Sequence, residues 1–283
     1  MPTNRFGVIG HPVAHSKSPL LHRAAFGALG LSLSYDLCDV APGGLSAFIA
    51  GLSQEWGGFS VTMPHKLEAL ELSDDVDLIA RVTNAVNTLV LKRSADGQIV
   101  NISGYNTDVH GIVASFADAA ATRAQHAAVI GSGATSASAI FALAEMGVEH
   151  VSIVARNIDK AQDLLSVASE VGLSFSAHTL DQIGSLEAID VAVCALPGDV
   201  ELSLAALPRT QGAVLLDVAY EPWPSARGAE WESAGGFVIS GLRMLAHQAV
   251  IQDRLFINGD ASLPLEDEEV VTRTMFESIG LVR

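Results

Sequence analysis

The sequence predicts an α/β protein of two domains. The first carries a mostly parallel sheet, the second is a βα series wound from a glycine turn, and C-terminal helices pack back on the first. Short β-rich runs alternate with helical stretches from Arg5 to a closing hairpin, the pattern of a largely parallel sheet. A second alternating series starts at "AAVIGSGATSAS" and continues to Ile239. From Gly241 to the end the pattern is helical only. The expected domains are 1–106 together with 241–283, and 107–240.

Arg5–Ile9 reads as the first strand. "HSKSPLLHRAAFGALG" follows as a helix, with Ser18 expected at the N-cap, Pro19 at the first helical position and Gly30 as the stop. Strands Ser34–Val40 and Phe59–Thr62 alternate with helices Leu45–Ala50 and Lys66–Leu72. "NAVNTLVLKRSADGQIVNIS" is strand, Asp-Gly turn, strand. After Asp108 a helix leads to strands at Ala127–Ile130, Val151–Ala155, Phe175–His178, Val191–Ala195, Val214–Val218 and Phe237–Ile239.

Among the 283 residues, 49% are hydrophobic and 17% charged, a globular balance. The net charge is −16, which repels phosphate backbones and argues against a nucleic-acid partner. An anionic small molecule stays open if the site supplies its own positive groups. The uncharged run Ala127–Ala144 holds "GSGATSAS" and is too polar to span a membrane. Cys38 and Cys194 have no metal or redox spacing, and "MPTNRFGVIGHP" has no signal-peptide core. The expectation is a reducing cytoplasm, as a monomer or homodimer.

In "AAVIGSGATSASAIFALAEMG", Gly131 permits a tight turn and Gly133 lets backbone N–H groups approach a pyrophosphate at the helix N-terminus. An ordinary glycine turn is the bland alternative. A strand before, a helix after and the downstream βα series favour a Rossmann-type dinucleotide site. The next strand, "HVSIVARNIDK", ends without the acid that an NAD ribose usually meets. Arg156 stands there instead, with Lys160 beyond it, so a 2′-phosphate and hence NADP is expected. A solvated arginine is the alternative.

Two serines flank Lys17 in "HSKSP"; taken alone, helix capping explains them better than a carboxylate receptor. His11 and His15 share a helical spacing, but Pro12 and the loop context defeat a metal pair, so no metal is expected. "GFSVTMPHK" ends a strand at a proline and leaves Lys66 at its mouth. That lysine is either solvated on a turn or held for a pocket.

"GHPVAHSKSPLLHRAAF", "SVTMPHK", "NAVNTL", "GYNTD", the glycine turn, "ARN", "DVAYEPWPS" and "GLRMLAHQA" occur in this order. Together they resemble the shikimate dehydrogenase family over nearly the whole chain. The resemblance implies NADP-linked interconversion of 3-dehydroshikimate and shikimate, with an active site in the cleft between a substrate domain and a Rossmann domain. It implies Lys66 and Asp108 as the catalytic pair, and Ser16, Ser18, Thr62, Asn87, Tyr220 and Gln248 as the substrate shell. Gly131, Ser132, Gly133, Ala134, Thr135, Arg156, Asn157, Lys160, Val218 and Gly241 are the implied cofactor contacts. Some positions depart from the family pattern: Ser60 stands for an asparagine, Ser225 for a threonine, and "VAVCALPGD" lacks the usual segment near the nicotinamide. A quinate-accepting relative and a non-catalytic NADP sensor are the alternatives; the presence of both lysine and acid speaks against the sensor.

Overall fold

In the computed structural model, which describes residues 3–282, strand β1 (Arg5–Gly10) sends successive side chains to opposite faces of a sheet. Ile9 joins Leu45, Phe59, Val86 and Leu89 on one face, and Phe6 and Val8 join Phe26 and Tyr35 on the other. With both faces covered, β1 is buried after its first residue. Each large apolar side chain so buried contributes about 1.5–3 kcal/mol.

The chain divides into two compact units, Met1–Thr107 with Ala246–Arg283, and Asp108–Leu245. In the first, β1 is followed by α1 (Ser18–Ala28), β2 (Ser34–Asp39), α2 (Leu45–Ala50), β3 (Trp56–Val61), α3 (Lys66–Leu72), β4 (Asp75–Val76), α4 (Leu78–Thr83), β5 (Thr88–Arg93) and β6 (Ile99–Tyr105). The strand order is β2-β1-β3-β5-β6-β4. Pairings of β1 with β2 and β3, and of β4 with β6, are parallel; β5 runs antiparallel to β3 and β6. Strand β3 starts three residues before its expected beginning and runs through Gly57 and Gly58. A Cβ on Gly58 would lie 2.6 Å from Leu89 O and 2.9 Å from the Phe256 ring, so these glycines serve close packing rather than a turn.

Ser18 is not the N-cap of α1. Lys17 holds that position without a side-chain cap, and Ser18 is already helical. The stop is as expected: Gly30 has φ 66°, and Leu31 N–H bonds Phe26 O at 2.9 Å. Strand β4 and helix α4 have no counterpart in the sequence pattern. Asp77 caps α4 by accepting from Ala80 N–H at 2.6 Å.

In the second unit, α5 (Asp108–Asp118) precedes β7 (His126–Ile130), α6 (Ala134–Glu145), β8 (His150–Ala155), α7 (Gln162–Glu170), β9 (Ser174–Thr179), β10 (Ile189–Cys194), β11 (Arg209–Asp217), α8 (Ala226–Ser233) and β12 (Phe237–Ser240). All six expected strands are present, in the order β12-β11-β10-β7-β8-β9 and all parallel. The order reverses between β7 and β10, as in a Rossmann sheet, whose ligands bind beyond the strand carboxyl ends at that point. Helix α9 (Gly241–Asn258) begins in this unit and continues into the first, where α10 (Glu268–Ser278) packs on α1.

Among the described residues no helix is long and apolar enough to cross a membrane, and no cluster of metal-ligating side chains occurs. Both cysteines are free thiols.

Candidate active site

Register alone gathers one set of residues in the first unit. Ile9 pairs with Val61, Ser60 with Thr88, and Thr88 with Tyr105. The ends of β1, β3 and β6 and the start of β5 therefore share one sheet edge. The loops leaving that edge carry Ser16 and Ser18, Thr62 and Lys66, Asn87, and Thr107.

Hydrogen bonds then fix the loops. Thr62 N–H bonds Ile9 O at 2.9 Å, and Val86 N–H bonds Lys66 O at 3.1 Å. Buried His65 donates from Nε2 to Val40 O at 2.7 Å, with its Nδ1 3.1 Å from Glu68 Oε2. Lys66 is half-buried at the first position of α3. A cation there opposes the helix dipole, so helix formation does not explain this lysine. Ser18 is 4% exposed and its N–H reaches Ser16 Oγ at 3.3 Å. With Lys17 at the cap, the capping explanation of Ser18 falls away; Ser16 is half-buried and Thr62 exposed.

Asn87, Thr107 and Gln248 are buried together. Asn87 Nδ2 donates to Thr107 Oγ1 at 2.9 Å and to Gln248 Oε1 at 3.3 Å, while Asn87 Oδ1 accepts from Thr107 N–H at 2.9 Å. Thr107 is not among the residues expected from sequence, although it lies inside the "NTD" run; its signal is a hydroxyl directly before the nominated Asp108. Asp108 follows it directly, buried, as the first residue of α5.

In the second unit, Gly131 adopts φ 123°, a region that favours glycine, and its N–H bonds Val154 O at 2.9 Å. Gly133 is extended, and a Cβ built there meets nothing within 4 Å. Space therefore lies open before the N–H groups of α6, whose first turn has no acidic residue. Ser132 is exposed, and Ala134 and Thr135 are half-buried. Fully buried Ser136 Oγ has no hydrogen-bond partner among the described residues. These features fit a bound pyrophosphate. Beyond β8, Arg156 and Asn157 are exposed, and Asn157 Oδ1 accepts from Asp159 N–H at 2.9 Å. The side chain of Lys160 lies outside the described residues. Val218 and Gly241 meet so closely that a Cβ on Gly241 would lie 2.0 Å from Val218 O. Tyr220 is half-buried, and burial, then the Glu221 charge, raises its hydroxyl pKa.

A buried knot braces the loops after β10 and β11. Arg227 donates from Nε to Asp217 Oδ2 at 2.8 Å and from Nη2 to Asp217 Oδ1 at 2.9 Å. Its other donors reach Leu196 O, Pro197 O and Val200 O. Ser225 adds a hydroxyl to Asp217 at 2.5 Å and caps α8 by accepting from Gly228 N–H.

Two family models match the chain: the shikimate dehydrogenase substrate binding domain over residues 8–89, and shikimate / quinate 5-dehydrogenase over residues 115–203. A shikimate dehydrogenase (NADP(+)) of Methanothermobacter thermautotrophicus is 32% identical over 94% of this chain and 95% of its own. Mycobacterium tuberculosis shikimate dehydrogenase is similar in structure, at TM-score 0.81 and 38% identity over 96% of this chain and 98% of that one. So is the Thermus thermophilus shikimate 5-dehydrogenase in complex with NADP(H) and shikimate, at TM-score 0.77 and 28% identity over 97% and 99%. With both family models matched and a curated relative aligned along nearly its full length, the chain belongs to the shikimate dehydrogenase family.

Proposed function

We propose that the protein interconverts 3-dehydroshikimate and shikimate with NADP, using Lys66 and Asp108 at the reacting hydroxyl. The observation that carries this reading is the buried Asn87–Thr107–Gln248 cluster on the sheet edge that also bears Lys66 and the serine loop. Shikimate has a carboxylate and several hydroxyls, and this edge offers hydroxyls, amides and the Lys66 ammonium group. Ser16 and Ser18 take the carboxylate at the start of α1, where helix N–H groups favour an anion. Thr62, Asn87, Gln248 and Tyr220 take the hydroxyls, and the hydrogen bond between Asn87 and Gln248 orients two of these groups.

Oxidation of a secondary alcohol removes a proton from oxygen and a hydride from carbon. NADP, when bound, supplies the hydride acceptor. Lys66 serves the oxygen, as proton carrier or as a fixed cation that stabilises alkoxide character, and Asp108 orients it. In the second unit Gly131–Thr135 hold the pyrophosphate, Arg156, Asn157 and Lys160 the 2′-phosphate end, and Val218 and Gly241 the nicotinamide end. Two free thiols support a reducing, cytoplasmic setting.

Lys66→Ala tests the assignment. It should lower kcat about 10²–10⁴-fold with a smaller change in KM. In the proton-carrier role the wild-type pH limb disappears with it; in the fixed-cation role the limb stays. Near-normal kcat with only a raised KM makes Lys66 a substrate anchor and overturns the catalytic role.

A further inference from the structure

A one-way chain of hydrogen bonds crosses the interior of the first unit and ends on Asn87. Its direction follows from groups whose roles are fixed. Gln252 reaches the carbonyl oxygen of Asn87 at 3.1 Å, and a carbonyl only accepts, so Nε2 lies on that side. Gln252 Oε1 must then face Ser60 Oγ at 2.7 Å, and Ser60 must donate. Ser60 in turn accepts from the Tyr35 hydroxyl at 2.5 Å.

On the other side, Gln252 Nε2 donates to Thr88 Oγ1 at 2.9 Å. Thr88 has its proton left for Asn87 Oδ1 at 2.8 Å. The amide of Asn87 is thus set from two directions, by the Thr88 hydroxyl and by Thr107 N–H. A flip would put the Asn87 NH₂ against both donors. Gln252 is 1% exposed and Thr88 fully buried, so water does not compete.

We propose that Gln252, Thr88 and Ser60 are positioning residues that hold the Asn87 amide with Nδ2 turned toward Thr107 Oγ1 and Gln248 Oε1, where a substrate hydroxyl takes over the N–H of the longer, 3.3 Å bond to Gln248. The proposal rests on the reading of Asn87 as a substrate contact. It gives Ser60 a role where the family pattern has asparagine, since a hydroxyl can accept from Tyr35 and donate onward to Gln252. None of the three touches substrate; they act through Asn87.

The test compares Thr88→Val, Gln252→Met, Thr88→Ser and Asn87→Ala in the full-length enzyme. For each, shikimate KM, kcat, NADP KM and melting temperature are measured. Thr88→Val and Gln252→Met should raise shikimate KM about tenfold, the worth of a misaligned hydrogen bond, with NADP KM unchanged. Thr88→Ser keeps the hydroxyl and should recover most of the loss. If melting temperature falls but shikimate KM at a permissive temperature stays at the wild-type value, the chain is structural only and the proposal is wrong. If Asn87→Ala itself leaves shikimate KM and kcat unchanged, the reading of Asn87 fails and the positioning role falls with it. An Asn87 effect without a Thr88 or Gln252 effect overturns the positioning role alone.

Discussion

Replacing Arg227 by methionine removes one partner of an ion pair in which Asp217 is fully buried and Arg227 is 3% exposed. Among the described residues, Asp217 keeps the Ser225 hydroxyl and the Ala219 N–H at 3.2 Å, neither of which cancels its charge. An uncompensated buried charge costs about 3–5 kcal/mol. The carbonyls of Leu196, Pro197 and Val200 also lose their donor, which pushes the cost toward the upper end unless water reaches that loop. Urea unfolding followed by the fluorescence of fully buried Trp231, in the same unit, reads this loss as a lower midpoint at unchanged slope. Asp217→Asn added to Arg227→Met removes the stranded charge, so the double variant should be less destabilised than the sum of the singles. A loss below about 1 kcal/mol, or strict additivity, refutes the claim that a buried charge pair braces these loops.

Two glycines of the second unit should behave oppositely. Gly133→Ala places its Cβ in open space at an ordinary backbone angle, so the apo melting temperature should hold while NADP affinity drops; Gly241→Ala drives its Cβ into Val218 O and should destabilise outright. Equal losses of stability in both would contradict this. Burial pushes the thiols of Cys38 and Cys194 from 9.0 up to about 11. The folded protein therefore holds these protons longer than the unfolded chain, and the stability this confers is lost as pH rises from about 9 through about 11. A thiol reagent at pH 8 should label native Cys194 far more slowly than urea-unfolded chain, and rapid labelling of the native protein would count against it.

The sheet of Asp108–Leu245 is readable because strands covered on both faces carry continuous apolar runs, such as "AAVI", "VAVCAL" and "AVLL". Strand β4 and helix α4 are not, since "SDDVDLIARVTN" holds a two-residue strand and a six-residue helix, too short to show a period. Specific bonds define them instead: Asp74 Oδ2 accepts from Ile102 N–H at 2.8 Å, and Asp77 caps Ala80. Ser18 before proline matches the usual capping pattern, yet the chain enters α1 already in a helical conformation at Lys17. Candidate substrate residues came from motifs, but what holds Asn87 did not. Ser60 and Gln252 are 192 positions apart, and neither carries a local signal that the other exists. Only the antiparallel return of β5 beside β3, with α9 against them, brings those side chains together.

The central claim is tested most directly by initial rates at 340 nm, crossing shikimate and quinate with NADP and NAD. Shikimate with NADP should give the highest kcat/KM of the four pairs. The proposed carboxylate receptor and hydroxyl-binding residues suit the substrate, and an exposed arginine in place of an acid after β8 suits the 2′-phosphate. Absence of NADP reduction with shikimate would contradict the proposed activity, and a preference for NAD would contradict the role given to Arg156.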